Sequence, residues 1–560
     1  MILKTLTIEG FRSYQKGTIT FDPSLTILVG ENNVGKSTIA TAIERVAAQL
    51  SNETTDIFSI EDYPYLNLGP LALLLTIELS AIEIDELIIT IIINRMTNFT
   101  PDQKVRVREW FLKQGNIVTI DITRPSTDLR CLIIWGSLSI LGQLTTTGDK
   151  SQLYTQIVAN SQDELFNQIL ADNVQSTPLP TPFHLGSVIA RLFSVYFRRI
   201  IEFRVGAMAS GRTGAVETLS GGEVASVLLN LKNHRDRREQ ERFRKIQEAF
   251  SRLFAHYSID AVDTAPGSGV ADVVFWEEGR DNPIPLSLVS AGVRQILTLL
   301  TNLIAREGLI IFVEHPEEHL HPHGMRFLQS LLRDASKQNQ IIVVTHNPYF
   351  VDPATLHGLR RTWLTRQQGT RIFDLGHMLA EQDERKRQRL MAQMSTVFRN
   401  LTNREMVFAR AVILVEDDSQ KEFLVPVANI LGFNIDANSI SVISVGGEDA
   451  YSPYFALLDA LAIPYIALKD KSWGNGDKYP HDRFFSLGME IEDFLDGHGL
   501  HEKRQAVATE VGVRKMDNDG KRRVMAALAP QLTQQEIPPI FRTILQRAQD
   551  FASGEPAVRE

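Results

Sequence analysis

The chain has 560 residues, a formal net charge of −9 and one cysteine, Cys131, with 43% hydrophobic and 22% charged residues. This length exceeds what one hydrophobic core supports, so about two to four domains are expected. The charge argues against nucleic-acid coating by overall charge but allows a local basic channel. The single cysteine excludes an internal disulfide and fits a reducing compartment.

The beginning of the chain alternates apolar and polar residues as a strand does, and it lacks the layout of a signal peptide. The longest apolar runs, at 71–77 and 87–93, are strand-sized. They fall short of the roughly 20 residues that span a bilayer. We therefore expect a cytoplasmic location and no membrane partner.

Residues 30–37 read Gly-Glu-Asn-Asn-Val-Gly-Lys-Ser and fit the pattern G-x-x-x-x-G-K-S. An apolar run precedes them and a helical pattern follows, which is the context of a phosphate-binding loop. In such a loop Lys36 reaches the β- and γ-phosphates of ATP, and the Ser37 hydroxyl binds Mg²⁺. The predicted nucleotide-binding residues here are Gly30, Asn32, Asn33, Gly35, Lys36, Ser37 and Thr38.

The next part of the chain predicts strands, and the β-branched run at 84–94 predicts a buried strand. Three prolines within 176–183 predict a linker or loop. The pattern over 221–257 is helical with one apolar stripe, as expected of an inserted helical arm. A second long helical stretch is predicted over 379–410.

Two basic runs, at 235–245 and 385–389, are interleaved with glutamate or glutamine at helical spacing. This spacing favours solvated helix faces over a DNA contact.

A carboxylate strand complements the phosphate loop. The apolar run 309–313 ends in Glu314, as a Walker B strand requires for Mg²⁺. His315 follows Glu314, and Glu317 lies two residues further on. A later apolar run, 341–345, ends in His346.

Two segments compete for the signature motif of such a site. The run Leu-Ser-Gly-Gly-Glu at 219–223 is the better string match, but its Ser220 lies 94 residues before Glu314. Ser290, followed by Gly292, lies 24 residues before Glu314, which leaves room for one helix and a turn. We therefore predict Ser290 and Gly292 as the signature and assign 219–223 to the start of the helical arm.

This order resembles the ABC-type ATPase heads of RecF- and SMC-like proteins, with His346 as the switch histidine. The segment Gly-Phe-Arg-Ser-Tyr at 10–14 also looks like the N-terminal strand of that group. In this class the signature of one protomer caps the ATP of another, so the resemblance implies dimerisation of the heads.

His315 departs from that class, which usually has a second carboxylate after the Walker B acid. Histidine acts as a base near neutral pH, but it does not simply replace a carboxylate beside Mg²⁺. Glu317 is the alternative base. We therefore expect ATP binding with slow hydrolysis, and rapid turnover unaffected by His315→Ala would contradict this.

The C-terminal part begins a new α/β pattern. The apolar strand 411–415 ends in Glu416, and the strand 464–469 ends in Asp470. Glu492 and Lys521 follow, and Glu490 is a second choice for the later acid. The pattern resembles a Toprim domain, in which a glutamate and aspartates hold divalent metal at a scissile phosphate.

An ABC-type head followed by Toprim resembles the overcoming-lysogenisation-defect (OLD) family of nucleases. The resemblance implies an α/β fold: an ABC-type P-loop ATPase head with an inserted helical dimerisation arm, then a Toprim domain. The expected bounds are 1–375 for the head, with a mainly helical insertion at about 150–260, 376–408 for a helical linker and 409–560 for Toprim with C-terminal helices.

The same resemblance implies function. It indicates an ATP-regulated, metal-dependent endonuclease that acts on double-stranded DNA in prokaryotic defence against phage or plasmids. ATP and Mg²⁺ are the implied cofactors, with Mn²⁺ as an option at the Toprim metal ligands Glu416, Asp470 and Glu492. Lys521 is the implied phosphate-assisting lysine. Dimers or tetramers through the heads and the arm are implied, and related systems add a helicase or a reverse transcriptase.

Two family acids are absent: Gln420 occupies one position and Ser472 the other. Asp417, Asp418 and Asp477 are near enough in sequence to compensate. The alternatives are a one-metal, manganese-preferring, partner-dependent or inactive site. The second hypothesis is therefore an ATP-dependent sensor or scaffold with a degenerate Toprim domain. A RecF-type repair ATPase fits less well, because those heads lack Toprim.

His319, His321 and His323 follow the Walker B strand at a density that suggests metal binding. They coincide with the family's Leu-His-Pro element, so a structural or interface role is favoured.

Overall fold

The computed structural model describes most of the chain, and it divides into two compact units. The first unit contains Met1–Leu28, Asn32–Asn347 and Thr362–Ile372, and the second contains Val29–Glu31, Pro348–Arg361 and Phe373–Glu560. The described residues are 1–51, 57–64, 69–88, 100–125, 129–136, 138–147, 150–159, 185–200, 221–264, 271–318, 320–365, 369–473, 480 and 482–554.

The strands are numbered here in chain order. They are β1 Ile2–Phe11, β2 Tyr14–Thr20, β3 Leu25–Val29, β4 Leu71–Glu78, β5 Ile117–Arg124, β6 Leu129–Trp135, β7 Leu138–Thr147, β8 Lys150–Ala159, β9 Phe197–Ile200, β10 Tyr257–Asp263, β11 Ala271–Glu277, β12 Ile284–Pro285, β13 Ile310–Glu314, β14 Gln340–Val344, β15 Leu359–Thr365, β16 Gly369–Asp374, β17 Ala411–Val415, β18 Ile440–Ser444, β19 Tyr465–Lys469 and β20 Phe484–Ser486.

The α-helices are numbered in the same way. They are α1 Lys36–Ser51, α2 Ala81–Ile88, α3 Pro101–Lys113, α4 Leu185–Tyr196, α5 Gly221–Asn233, α6 Arg237–Leu253, α7 Ala291–Ile304, α8 Pro322–Ala335, α9 Leu375–Ala380, α10 Glu384–Arg399, α11 Asp418–Ile430, α12 Tyr451–Ala460, α13 Ile491–Leu495, α14 His501–Glu510, α15 Asn518–Leu528 and α16 Pro539–Ser553.

Short helical turns connect several of these elements. They are the 3₁₀ turns Ile60–Asp62, Leu286–Leu288, Pro348–Phe350, Pro353–Gly358, Thr402–Phe408 and Ala529–Gln531, and the π turn Asp496–Leu500.

The largest sheet has the strand order β8-β7-β6-β5-β4-β1-β2-β16-β15-β3-β14-β13-β9. At one end, β3, β14, β13 and β9 run parallel to one another. At the other end, the neighbouring strands in the order β2-β1-β4-β5-β6-β7-β8 pair antiparallel. The parallel strands β3, β13 and β14 are buried throughout, which explains why they are continuous apolar runs in the sequence.

This mixed sheet fixes the place of the first site. In parallel sheets, ligands bind beyond the carboxyl ends of the strands. Here β3 leads into the phosphate loop, β13 ends in Glu314, and β14 is followed by Thr345 and His346. The residue pairs Val343–Ile27 and Val313–Val343 set these strands in register, so their ends meet at one edge.

A separate sheet, β10-β11-β12, is antiparallel. The helices α5 and α6 pack against it and against α7. The apolar face of α6 is buried through Phe243, Ile246 and Phe250. This confirms the helical pattern read over 221–257.

The second unit holds a four-stranded parallel sheet in the order β18-β17-β19-β20. The strand β17 is buried at every position. Its core includes apolar side chains from α11, α15 and α16, such as Phe423, Met525 and Phe541. A central parallel strand with helices packed over it places Glu416 at an edge where ligands bind.

Two sequence expectations are wrong in detail. Residues 84–88 of the predicted strand 84–94 belong to the helix α2, and the rest of that run lies outside the described residues. The helix begins because Ser80 and Glu83 form a reciprocal capping box: each side chain accepts a hydrogen bond from the other's backbone N–H. This local cap outweighs the β-branched composition of the run.

The long helix predicted over 379–410 is interrupted. The chain leaves α9 after Ala380 and starts α10 at Glu384, because the side chain of Asp383 caps the new helix through the N–H of Lys386. A 3₁₀ turn, Thr402–Phe408, follows.

The described part of the insertion placed at about 150–260 contains α4, α5 and α6 together with strand residues of β8, β9 and β10. The domain bounds stay predictions. None of the helices in the described part of the chain has the length and apolar character needed to cross a bilayer.

Candidate nucleotide and metal sites

The phosphate loop has the backbone that its sequence predicts. Positive φ angles occur at Gly30 (145°), Asn33 (60°) and Gly35 (90°), and α1 begins at Lys36. Left-handed residues turn successive N–H groups inward, and the start of the helix adds the positive end of its dipole. The loop is therefore shaped to hold an anion.

Gly35 is required by close contacts as well as by its φ angle. A Cβ atom at this position would lie 2.5 Å from the Ser13 Oγ and 2.9 Å from the Thr370 Oγ1. The Tyr14 hydroxyl donates a hydrogen bond to the Gly35 carbonyl oxygen (3.1 Å). Residues 13 and 14, which the sequence placed in an N-terminal strand motif, thus support the loop.

The Walker B acid Glu314 lies beside the phosphate loop and is only 6% exposed. The Ser37 hydroxyl donates a hydrogen bond to its Oε2. The Arg199 guanidinium contacts its other oxygen at 2.6 Å and also pairs with Glu44 of α1 (2.7 Å). The two predicted Mg²⁺ ligands of the head, Ser37 and Glu314, are therefore brought together.

Arg199 is a residue of this site that the sequence did not reveal. It lies on the four-residue strand β9, which pairs with β13 through the pair Phe312–Arg199. No motif surrounds it, and only the parallel pairing shows that it reaches the Walker B acid. Its positive charge offsets the two carboxylates Glu44 and Glu314 at the edge of the sheet.

His315, Glu317 and His346 form one cluster. The rings of His315 and His346 stack with centroids 5.1 Å apart and planes 3° apart. The His315 Nδ1 lies 3.7 Å from Glu317 Oε1, and the His346 N–H donates to the same oxygen (3.1 Å). His315 has a φ of 49°, a strained conformation for a non-glycine residue.

The charges of this cluster follow from its contacts. Pairing with Glu317 raises the pKa of His315. Burial, together with the nearby positive charge of Lys36, lowers the pKa of His346 to about 4. Burial alone raises the pKa of Glu317, but hydrogen bonding with His315 and with the His346 backbone outweighs it, so the pKa is lowered. The cluster therefore contains an ionised Glu317 and a neutral His346 at neutral pH.

The carboxylate of Glu317 also has an oxygen that these contacts do not use. Its Oε2 is buried, and the described residues give it no hydrogen-bond partner. Such an oxygen is able to accept a hydrogen bond. The role of Glu317 as the alternative base stays a prediction.

Ser290 caps the helix α7, and its Oγ accepts a hydrogen bond from the N–H of Val293 (3.4 Å). This helix leads directly to β13, as the spacing of 24 residues before Glu314 predicted. The competing segment 219–223 lies partly outside the described residues, and α5 begins at Gly221.

Of the three histidines after the Walker B strand, His321 caps α8, and its ring stacks on His323 at 5.5 Å. His319 lies outside the described residues. These contacts give His321 a structural role.

In the second unit, Glu416 and Asp470 follow the adjacent parallel strands β17 and β19. The Asp470 N–H donates a hydrogen bond to Glu416 Oε2 (2.9 Å). The Glu416 carbonyl oxygen accepts hydrogen bonds from the N–H groups of Gly446 (3.1 Å) and Gly447 (2.8 Å). Both predicted ligands are therefore held at one edge of the sheet.

Gln420 joins the two acids. Its Oε1 accepts a hydrogen bond from the Glu416 N–H (2.9 Å), and its Nε2 donates to Asp470 Oδ1 (2.7 Å). The sequence identified Gln420 only as a missing acid, and the structure shows it as the bridge between the two remaining ones.

Glu492 and Lys521 form the other side of this site. Glu492 is 6% exposed, and its Oε1 is buried with no hydrogen-bond partner among the described residues. The Lys521 Nζ lies 3.8 Å from Glu492 Oε2 and also pairs with Glu490. Glu490, the second choice in the sequence, is thus the main partner of the lysine.

The electrostatics of the site show crowded negative charge. Burial, followed by the charges of Glu416, Asp417 and Glu492, raises the pKa of Asp470 to about 7. Burial also raises the pKa of Glu492. Burial by itself lowers the pKa of Lys521. The hydrogen bond with Glu490 and the charges of Glu490 and Glu492 outweigh this effect, so the pKa of Lys521 is raised. Such shifted carboxyl groups are typical of functional sites.

Among the described residues, no three histidine, cysteine, aspartate or glutamate side chains are arranged as a ready-made metal cage. Mg²⁺ does not need one, because it is often held by one or two carboxylates with water and substrate phosphate. The hard oxygens of Glu416 and Asp470, with the Glu492 oxygen that has no partner in the described part of the chain, fit an ion bound in that way.

Of the candidate replacement acids, Asp417 lies near enough for its charge to raise the pKa of Asp470, but its side chain is engaged in a helix cap. The Asp417 side chain caps α11 through the N–H of Gln420 (3.0 Å), and Asp418 is exposed. Ser472 is exposed, and Asp477 lies outside the described residues.

Comparison with known families agrees with the two sites. Residues 1–176 match the AAA ATPase domain, and residues 217–352 match an AAA domain described as a putative AbiEii toxin of a type IV toxin–antitoxin system. Residues 407–471 match the Toprim domain of overcoming-lysogenization-defect-like proteins.

Two relatives align over longer stretches. An uncharacterized protein of Methanocaldococcus jannaschii is 27% identical over 251 residues, 45% of this chain and 30% of that protein. An OLD nuclease of Thermus scotoductus is 26% identical over 239 residues, 41% of this chain and 42% of that protein. The alignments thus span less than half the length of either relative.

Solved structures with similar parts include two kinds of domain. The C-terminal region of the Xanthomonas campestris pv. campestris OLD protein covers 27% of this chain and 96% of that structure, with 25% identity and a TM-score of 0.23. The SMC head of Thermotoga maritima covers 67% of this chain and 99% of that structure, with 17% identity and a TM-score of 0.30. Because these scores are below 0.5, the fold assignment depends on the strands described above and on the family matches.

The phosphate loop, the Walker B strand and the parallel sheet that carries Glu416 and Asp470 agree with those matches in chain order. The chain is an α/β ATPase head followed by an OLD-like Toprim domain, and in this architecture it resembles the overcoming-lysogenisation-defect family.

Proposed function

We propose that the chain is an ATP-regulated, metal-dependent endonuclease that acts on double-stranded DNA in prokaryotic defence against phage or plasmids. The observation that carries this proposal is the joining of Glu416 and Asp470 at the ends of adjacent strands, beside a buried Glu492 oxygen that has no hydrogen-bond partner among the described residues. Burying several carboxyl groups together is costly unless a cation or a proton neutralises them. The arrangement therefore favours a cation-binding role.

A bound Mg²⁺ or Mn²⁺ would supply charge stabilisation at a scissile phosphate. Within the protein, Glu416 and Asp470 would hold and orient the cation. Lys521, kept charged by Glu490 and Glu492, offers a donor for a phosphate oxygen. In these roles, the Toprim residues would carry out DNA cleavage.

ATP acts on this activity by binding more than by turnover. The phosphate loop and Glu314 supply the parts that bind Mg²⁺ and ATP, while His315 occupies the position of the usual catalytic acid. Ser290 and Gly292 of a second protomer complete the nucleotide site, so the active form is a dimer or tetramer in the cytoplasm. A second defence component, such as a helicase or a reverse transcriptase, joins it in some systems.

A second function is favoured by one observation. Among the described residues, no three histidine, cysteine, aspartate or glutamate side chains have the geometry of a complete metal cage, as expected of a degenerate site. In this alternative the chain is an ATP-dependent sensor or scaffold that controls another effector. It predicts ATP-dependent assembly without cleavage under any metal.

Plasmid cleavage separates the two functions. Supercoiled plasmid is incubated with the full chain and Mg²⁺ or Mn²⁺, with and without ATP, using wild type and Glu416→Gln. The substitution keeps the side chain's size and its acceptor oxygen but removes the charge that binds metal. We expect cleavage by the wild type and a loss on the order of 100-fold or more in the variant.

The matched control is Glu502→Gln, the same change at an exposed position on α14. Its cleavage rate should equal that of the wild type. Absence of cleavage by wild type with every metal and nucleotide, or equal rates in Glu416→Gln and wild type, contradicts the nuclease assignment and favours the scaffold.

A further inference from the structure

Gln420 is a buried polar residue at the centre of the proposed metal site. It is 1% exposed and lies in the first turn of α11. Its own N–H donates to Asp417 Oδ1 (3.0 Å), which fixes the backbone at this position. The side chain then reaches from the strand end at Glu416 to the strand end at Asp470.

The orientation of the Gln420 amide is fixed by its partners. A backbone N–H can only donate, so the atom that faces the Glu416 N–H is the carbonyl oxygen. The NH₂ group is thereby directed at Asp470 Oδ1, 2.7 Å away. One carboxylate oxygen of Asp470 thus receives a hydrogen bond from the protein itself.

A carboxylate at position 420 would behave in the opposite way. It could not donate to Asp470, and two ionised carboxylates at hydrogen-bond distance require a shared proton or a shared cation. The glutamine hydrogens take the place of that cation. Its neutral side chain also adds no charge to the three carboxylates Glu416, Asp470 and Glu492.

From this geometry we infer that Gln420 limits the Toprim site to one divalent cation, because its amide satisfies an oxygen of Asp470 and supplies no carboxylate in its place, and a second cation would need both. This inference rests on the proposed function, because it concerns the same site. Gln420 acts as a positioning residue: it links the Glu416 backbone to the Asp470 carboxylate, and Glu416, Asp470 and Glu492 would hold the single cation.

The test counts bound metal. Mn²⁺ binding to the nucleotide-free full chain is measured by the loss of the free-ion electron paramagnetic resonance signal, and ions lost in Glu416→Gln are assigned to the Toprim site. We expect one such ion in the wild type and two in Gln420→Glu. Gln420→Met, which matches the size of glutamine without adding a ligand, should retain one.

Two assigned ions in the wild type overturn the inference while the metal-dependent nuclease stands. One ion in a folded Gln420→Glu variant also overturns it. No assigned ion in any variant contradicts both the inference and the metal dependence of the proposed function.

A second measurement, of thermal stability, tests the inference even if Gln420→Glu folds poorly. Without metal, Gln420→Glu should melt below the wild type, because four carboxyl groups then face one another. Saturating Mn²⁺ should raise its Tm by more than it raises that of the wild type. Gln505→Glu adds the same charge at an exposed position on α14 and should show the wild-type Mn²⁺ shift. An equal shift in all three proteins contradicts the inference.

Discussion

The two sites of this chain depart from their family patterns in opposite ways. The head keeps the loop, serine and acid that are predicted to bind Mg²⁺ and ATP, yet has His315 where the acid that activates water is expected. The Toprim site lacks two acids, yet it holds Glu416 and Asp470 in a partly buried network. The predicted binding residues are thus retained in both sites. The departures from the family patterns concern the residues beside them.

The comparison teaches that a missing motif residue has to be judged by what its replacement contacts. His315 stacks on His346 and pairs with Glu317, so it belongs to a structured cluster. Gln420 links the backbone N–H of Glu416 to the carboxylate of Asp470. Each replacement residue makes specific contacts, and each predicts a specific change in the chemistry of its site.

The largest expected effect is on ATP turnover, when a carboxylate is placed at position 315. His315→Glu places a carboxylate after Glu314, where it can polarise an attacking water. General-base catalysis contributes on the order of 10²-fold or more. We expect ATP turnover, measured as phosphate release, to rise by about that factor.

His315→Gln is the matched control, since it meets the same positive φ and cannot act as a base. Its turnover should stay at or below the wild-type rate. Fast hydrolysis by the wild type, unchanged in both variants, would show that the head does not lack a catalytic base, and the contrast between the sites would fail.

The Toprim site should show pH dependence through Asp470. Because burial and neighbouring carboxylates raise its pKa to about 7, Asp470 is mostly protonated at pH 6 and mostly ionised at pH 8. Cation affinity should therefore rise with pH, by up to about tenfold per unit below the pKa and little above it. Mn²⁺ titrations from pH 5.5 to 8.5 measure this.

Gln420→Leu sharpens the same test. The hydrogen bond from Gln420 lowers the pKa of Asp470, so its removal should move the midpoint of the profile to higher pH. A flat profile in the wild type, or an unchanged midpoint in the variant, contradicts the coupling between these two residues.

A smaller effect, on stability, probes the phosphate loop. Gly35→Ala adds a Cβ 2.5 Å from the Ser13 Oγ at a φ of 90°. Gly308→Ala meets a similar φ of 75° with nothing within 4 Å of the new atom. We expect a cost of roughly 1–2 kcal/mol for Gly308→Ala from its backbone alone, and a larger cost for Gly35→Ala.

Urea unfolding measures both costs, with ATP binding as a second readout. Gly308→Ala should bind ATP as the wild type does, while Gly35→Ala should bind it more weakly. Equal unfolding midpoints for the two variants would show that Ser13 and Thr370 do not constrain the loop.

Local motifs explain what the sequence predicts well. An apolar strand leads directly to the phosphate loop, to Glu314, to Glu416 and to Asp470, so their positions follow from a few neighbouring residues. The carboxyl ends of parallel strands then meet at one edge of a sheet.

Residues whose role depends on distant pairing escape such reasoning. Arg199 reaches Glu314 only because β9 pairs with β13, and Gln420 reaches Asp470 only because β17 pairs with β19. The error at 84–88 has a local cause, since the capping box of Ser80 and Glu83 is visible in the sequence and outweighs β-branched composition.

The central claim is that ATP controls cleavage by binding, without fast hydrolysis. The most direct measurement compares the plasmid cleavage rate without nucleotide, with ATP and with a non-hydrolysable ATP analogue, for wild type and Lys36→Ala. We expect the analogue to change the wild-type rate as much as ATP does, and Lys36→Ala to respond to neither. A rate that changes only with hydrolysable ATP, or that changes equally in Lys36→Ala, would contradict the claim.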